Sequence, residues 1–416
     1  MKLRNLLFGT MIACAFVACS NDDDPTPNVG PETPDGKTVL AVKYDVPTTT
    51  KAVDDDAITS LHMLVFSNGT LEVIGELKTG TTDVAEAAVN LSDKDILMLA
   101  NVTIPTAVVP GAAKSAVLTE LSKAQALEFD GDATDLSMNS KIYEGVTVTP
   151  ETTNYLGWAT APEGGVLVGG IDQDEAKAKV KMYRNTAKVV LTTIKTKEGY
   201  SDASRVPYKA PQLIVKNVYI LQAHQYSKIA PSDAAEYGAT MLTGGYLSGA
   251  FTEGMNEEGD EYTLNEATQE AAYASTLSGT ATTTASITVN KPFYLFENTN
   301  TGKDNSTLLV VEGEFSYENA QGERVTITNA DGTTSRYYTI AVGQTKAVFS
   351  DAANALLSLR NVTADTKGVY RNLQYNISLT AVGPGYKRPT VGGDPTMLDV
   401  QVEVVAYGEV NQDVEI

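Results

Sequence analysis

Two segments near opposite ends of the chain alternate apolar and polar residues with a period of two, and nothing else in the sequence constrains the fold as tightly. Leu40, Val42, Tyr44 and Val46 share one face, opposite Val39, Ala41, Lys43 and Asp45. Leu398, Val400, Val402, Val404 and Ala406 share another, opposite Asp399, Gln401 and Glu403. Successive side chains of an extended backbone point to opposite sides, so each segment reads as a strand with one buried face. Thr/Val-rich tracts elsewhere extend the reading to most of the chain. Further strands are expected at 60–66, 72–77, 95–102, 165–169, 180–191, 213–221, 285–289, 292–296, 307–317, 336–342 and 373–379, with one helix at 114–127.

A chain of 416 residues exceeds one ordinary core and suits two domains of roughly 150 to 220 residues each. The expected fold is all-β, two β-sandwich domains with minor helices and a separable C-terminal strand. The charge cluster at 172–178 precedes a fresh strand pattern, which puts the domain boundary near Lys179. The organisation that follows is 1–18 signal peptide, 19–37 tether, 38–179 first sandwich with its first strand at 38–50, 180–396 second sandwich, and 397–416 terminal strand.

The N-terminus reads as an address and an anchor. Lys2 and Arg4 precede an apolar run from Leu6 to Val17, too short to span a bilayer but suited to a signal peptide. Phe16-Val17-Ala18-Cys19 places small residues before a cysteine, the pattern of a lipobox whose Cys19 thiol is acylated after cleavage. Each buried methylene of an acyl chain contributes about 0.8 kcal/mol, so a multiply acylated Cys19 holds the chain to an outer membrane. Ser20-Asn21-Asp22-Asp23-Asp24 then resembles a surface-export signal, and Pro25, Pro27, Pro31 and Pro34 make an extended tether.

Several functions are excluded by what the chain carries. With 31 basic and 52 acidic residues the formal net charge is -21, which repels phosphate backbones, so no nucleic-acid partner is expected. Cys14 and Cys19 are the only cysteines, so the folded part holds no disulfide and no thiolate metal site. His62 and His224 are the only histidines and each lies in a strand-like run, which makes them structural rather than catalytic. The glycines around 165–170 lack the lysine of a phosphate loop, and neither Asp22–Asp24 nor Asp54–Asp56 has calcium-loop spacing. No enzyme, cofactor or metal is expected.

The loop after the first strand, 47–56, combines Pro, Thr and three aspartates around Lys51, where a protease could cut. Cleavage there, with Lys43 and Lys37 as alternative positions, would detach the strand and expose the pockets of Leu40, Val42, Tyr44 and Val46. The resulting groove has an unpaired sheet edge. Leu398, Val400, Val402, Val404 and Ala406 of another copy could fill it as a donor strand, and such a head-to-tail contact makes an open fibre. The alternative is a monomeric surface lipoprotein that binds a glycan or host ligand, for which Trp158 and scattered tyrosines are the relevant residues.

Five further segments complete the pattern: Arg184-Asn185-Thr186-Ala187-Lys188-Val189, Phe293-Tyr294-Leu295-Phe296-Glu297-Asn298, Tyr337-Tyr338-Thr339-Ile340, Tyr370-Arg371-Asn372-Leu373-Gln374-Tyr375-Asn376-Ile377 and Gly383-Pro384-Gly385. Together with the lipobox, and in this order, they resemble the Bacteroidota fimbrillins, the FimA-like and Mfa-like subunits of type V pili. The resemblance implies transthyretin-like sandwiches, export as a lipoprotein to a cell-surface fimbrium, and removal of the first strand by a trypsin-like surface protease between Lys51 and Ala52. It also implies polymerisation by C-terminal donor-strand exchange with other copies and with accessory anchor and tip fimbrillins, in support of cell adhesion. Tyr407 stands where many members carry a tryptophan. Because a cleavable first strand and a terminal donor strand are both present, the resemblance implies a shaft subunit.

Overall fold

Strand pairing changes sheets at Asn185. The computed structural model describes residues 36–45, 58–123, 136–200, 207–230, 250–251, 262–263, 274–289, 292–299, 306–343, 347–358, 368–389 and 398–406, most of them in strands. Up to Arg184 the strands belong to one sheet, and from Thr186 they belong to others.

The first sheet contains β1 (Lys37–Asp45), β2 (Leu61–Ser67), β3 (Thr70–Leu77), β4 (Val84–Asn90), β5 (Lys94–Ala100), β6 (Met138–Asn139), β7 (Tyr143–Val146), β8 (Thr153–Leu156), β9 (Gly165–Leu167), β10 (Val180–Lys181) and β11 (Tyr183–Arg184). Their order is β11-β6-β5-β2-β3-β4-β1-β8-β9, with β10 on β1 and β7 on β5. This path curls on itself: Leu40, Val42 and Leu156 at one end share a buried cluster with Met63, Val65, Ile96 and Met98 at the other. The helix expected at 114–127 is α1 (Lys114–Lys123), the rest of that range lying outside the described residues. The charge cluster at 172–178 forms α2 (Gln173–Lys177), because the Asp172 carboxylate caps it by accepting from the amides of Asp174 and Glu175 at 2.9 and 3.2 Å.

The second half packs two sheets face to face. One holds β12 (Thr186–Thr196), β18 (Ile287–Thr288), β19 (Pro292–Phe296), β23 (Ala347–Phe349), β24 (Leu373–Ala381) and β25 (Leu398–Ala406). The other holds β13 (Gly199–Tyr200), β14 (Pro207–Leu221), β17 (Ala274–Ala281), β20 (Leu308–Glu318), β21 (Arg324–Thr326) and β22 (Ser335–Ala341), while β15 (Ala250–Phe251) and β16 (Tyr262–Thr263) form a separate ribbon. Val189, Leu191, Tyr375 and Ile377 of the first sheet meet Leu213, Val215, Leu309, Val311 and Tyr338 of the second in one core, the arrangement of a β-sandwich. Helix α3 (Asp351–Ser358) buries Ala353 and Leu357 against that core.

The single strand expected at 180–191 is three pieces. Val180–Lys181 pairs with β1 and Tyr183–Arg184 with β6, both in the first domain, before β12 enters the second. The alternation is continuous, but the backbone changes partners at Asn185, whose amide donates to the Ser137 carbonyl at 2.8 Å.

Arg371 joins the domains. Its side chain and that of its carboxylate partner Glu297 are 2% and 3% exposed, with Arg371 Nε donating to Glu297 Oε2 at 2.7 Å. The same carboxylate accepts the Arg371 backbone amide at 3.0 Å. The remaining guanidinium nitrogens reach Asn139 in the first domain (3.4 Å), Asn185 at the crossing (3.2 Å), and Ser227 Oγ and the Lys228 carbonyl (2.7 and 2.6 Å). Just beyond, Ile229 and Ala230 enter an apolar cluster on the first domain with Leu64, Phe66, Leu97, Leu99, Val117 and Leu121, and the Ile229 amide donates to Ser122 Oγ at 3.0 Å. A buried cation whose donors are met from both domains fixes their relation, since moving either leaves part of it unsatisfied.

Removing that cation while leaving Glu297 buried destabilises. An Arg371→Met variant is expected to lose about 3–5 kcal/mol and to replace a single denaturant transition with two, read by circular dichroism and by hydrogen exchange in each domain.

Candidate functional site

The first strand is an interior strand although it is the first element among the described residues. It runs antiparallel to β4 over seven residues, from Lys37 opposite Asn90 to Lys43 opposite Val84. On its other edge it runs parallel to β8, Val39–Val42 opposite Thr153–Leu156, and then to β10, with Tyr44 opposite Val180. Both rows of its backbone groups are therefore bonded within the domain.

Side chains on its inward face are equally engaged. Leu40 and Val42 are fully buried and Tyr44 nearly so, as the alternation anticipates. Fully burying side chains of this kind contributes about 1.5–3 kcal/mol each, so this face stabilises the domain by roughly 5–9 kcal/mol. Thr38 Oγ1 donates to the Thr152 carbonyl at 2.5 Å and accepts from Asn154 Nδ2 at 3.1 Å. The Tyr44 amide donates to the Asp83 carbonyl at 3.0 Å, and its hydroxyl donates to the Thr82 carbonyl. Burial first, and Asp83 second, push the Tyr44 phenol above its ordinary value, so it stays a neutral donor.

On the outward face Lys43 Nζ lies 3.3 Å from Asp83 and 5.9 Å from the ring centre of Trp158. Trp158 meets Tyr155 edge-on at 4.8 Å. Gly157 between them has φ +98°, and a Cβ there would stand 2.3 Å from the Lys43 carbonyl oxygen; only glycine allows the chain to pass so close to β1. Gly75 serves the opposite wall, where a Cβ would lie 2.9 Å from both Ala87 Cβ and the Glu86 carbonyl.

β25 occupies a comparable slot in the second domain. It also has nine residues, runs antiparallel to β24 from Leu373 opposite Ala406 to Ala381 opposite Leu398, and runs parallel to β23 over three residues. Val402 is buried in the second core and Val400 packs against it, while Gln401 and Glu403 are exposed. By register Leu398, Val404 and Ala406 fall in the row of Val400 and Val402. Of the other residues singled out from the sequence, Cys19, Val46, Lys51 and Ala52 lie outside the described residues.

The sequence patterns do not disclose β4, whose Val84-Ala85-Glu86-Ala87-Ala88-Val89 is poor in strand-formers. Its alanines are the signal: Ala85 and Ala87 stand opposite Val42 and Leu40, where small side chains leave room for large ones. Gly383-Pro384-Gly385 is held by Arg336, whose Nε and one terminal nitrogen donate to the Pro384 and Gly385 carbonyls at 2.8 and 2.5 Å, and by Tyr338, whose hydroxyl donates to Gly383 at 2.8 Å. His224 is buried, and that burial lowers its imidazole to about 4; it is a neutral ring at neutral pH.

Comparison with known proteins gives the same outline. Residues 38–184 match the family described as major fimbrial subunit protein (FimA). The crystal structure of a fimbrilin (FimA) from Porphyromonas gingivalis W83 superposes with TM-score 0.53 at 17% identity, covering 90% of this chain and 99% of that one. A Parabacteroides distasonis structure described as a cell adhesion candidate gives TM-score 0.55 at 20% identity, over 89% of this chain and 99% of that one.

Two measurements probe these assignments. Leu40→Ala is expected to cost about 2–5 kcal/mol in denaturant unfolding, with amide exchange rising first in β4 and β8. Because the folded His224 pKa lies below its unfolded value, the unfolded chain binds the extra proton between about 6.5 and 4. Stability contributed by the neutral ring is thus whole at neutral pH and lost as pH falls through that window, and His224→Asn is expected to flatten this part of the stability profile relative to the parent.

Proposed function

We propose, from the match of residues 38–184 to the major fimbrial subunit family and the fold shared with a fimbrilin, that this chain is a structural subunit of a surface fimbrium that supports cell adhesion. We further read it as a shaft subunit, exported as a lipoprotein on acylated Cys19, activated by cleavage after Lys51 and polymerised by donor-strand exchange. The observation that carries this reading is the position of β1, the first described strand, paired on both edges and filling a core.

The physical argument is one of equivalent slots. Residues 19–51 would leave as one piece, so a single cut separates the subunit from its lipid and frees β1 for exchange. Its loss leaves β4 and β8 with unpaired edges and the pockets of Leu40, Val42 and Tyr44 open to water, costs that a replacement strand offsets. β25 has the same length and alternation, and its own slot likewise has one antiparallel and one parallel neighbour. Transfer to the next copy exchanges one set of backbone bonds for another and adds the burial that β1 had supplied. Partners of the reading are other copies, accessory anchor and tip fimbrillins, and a trypsin-like surface protease.

The reading is tested by N-terminal sequencing of sheared surface material beside the membrane-bound precursor and a mutant truncated after Pro395. A mature start at Ala52, gel ladders that persist without boiling, and no ladder from the truncated chain are expected. An acylated Cys19 start on an unaltered monomer would replace the reading with a ligand-binding surface lipoprotein.

A further inference from the structure

β1 and β25 resemble each other on their inward faces and oppose each other in charge on their outward ones. The outward row of β1 has Lys37, Lys43 and, at its end, Asp45, whereas the corresponding row of β25 has Asp399, Gln401 and Glu403. The rim that β1 covers is acidic where Lys43 lies: Asp83 stands 3.3 Å from its ammonium, and Glu86 is opposite Ala41. Glu86 also has Lys78 at 3.1 Å, and at the far end Asp45 has Lys179 at 3.7 Å. β8 contributes only Thr153 and Tyr155 to this outer row, and the loop after it contributes Trp158.

Deepening the exchange reading and resting on it, we infer that assembly of this chain with copies of itself is opposed by like charge at the groove rim and is gated by ionic strength. The alternation leaves three registers that place a side chain larger than alanine in both the Leu40 and Val42 pockets. With Val400 and Val402 there, Glu403 takes the place of Lys43 beside Asp83. With Val402 and Val404, Glu403 takes the place of Ala41 opposite Glu86. With Leu398 and Val400, Asp399 takes that place. Every register thus sets a donor carboxylate against a rim carboxylate, and departure of Lys43 removes the cation that neutralised Asp83. Like charges this close repel almost unscreened at 0.1 M salt, where the Debye length is about 10 Å, and are screened as it shortens to about 3 Å at 1 M, so added salt lowers the barrier to docking. A strand with a basic or neutral outward row escapes the penalty, which biases the groove against this chain's own donor at low salt.

Trp158 is the only tryptophan and sits over Lys43, so its emission reports occupancy of the groove. The experiment mixes protease-opened protein with a synthetic peptide of residues 397–412 and follows Trp158 emission, beside ladder growth of the opened protein alone, from low to high sodium chloride. Both rates are expected to rise roughly three- to tenfold with salt. Peptide carrying Asp399→Asn and Glu403→Gln is expected to dock faster at low salt and to lose most of the salt response, with no change to the folded partner. Opened protein with Asp83→Asn and Glu86→Gln should behave likewise, whereas Glu318→Gln with Glu323→Gln, at the β20–β21 turn of the second domain, should keep the parent response. Rates that fall or stay level with salt, or neutralised peptides and rims that respond as the parent does, overturn the charge gate while leaving strand exchange intact. Absence of docking and of ladders at every salt concentration overturns the exchange reading, and the gate with it.

Discussion

An interior first strand is the constraint on which the rest of the first domain depends. An edge strand can leave a sheet at the cost of one row of hydrogen bonds. β1 bonds β4 on one side and β8 and β10 on the other, and its inward side chains reach the common core. The neighbouring residues are fitted to it: alanines in β4 opposite its large side chains, glycines at 75 and 157 where backbones approach closely, and Asn154 bridging its first turn of contacts.

The second domain carries β25, a strand of the same length and alternation as β1, and is tied to the first by Arg371. Segments far apart in sequence, 184–186, 297–298 and 369–372, converge there: Asn372 donates its amide to the Thr186 carbonyl at 2.8 Å, and Asn298 and Val369 exchange backbone bonds of 2.9 and 2.8 Å. In the strand-exchanged fibre proposed above, tension entering through the groove of the first domain and leaving through β25 of the second would cross this joint. A buried, multiply bonded cation resists such load because sliding the domains breaks several bonds at once rather than one after another.

How much of this was legible varies with the range of the interaction. The alternation anticipated the burial of Leu40, Val42 and Tyr44, since side-chain direction in a strand follows from the backbone alone, but not that of Ala41 on the opposite face, which is 1% exposed. Helix α2 was concealed in a charge cluster because its cap, Asp172, makes a local bond that composition does not display. β4 was invisible because its alanines were selected by neighbours distant in sequence, and the pattern at 180–191 could not disclose that its backbone serves two domains. The motifs around Arg184, Glu297 and Arg371 were recognisable as segments, but their meeting at one guanidinium was not.

The sequence by itself determined the class: a strand-rich chain with the two alternating terminal segments, and no constellation that asks for catalysis. These follow from periodicity and residue chemistry, which are properties of neighbours along the chain. Only the tertiary structure decided that β1 is interior, that β25 lies between β24 and β23, that Lys43 faces Asp83 and Trp158, and that Arg371 joins the domains. Each is a choice among partners that identical local patterns allow, and it is made by packing volume and charge brought together across hundreds of residues.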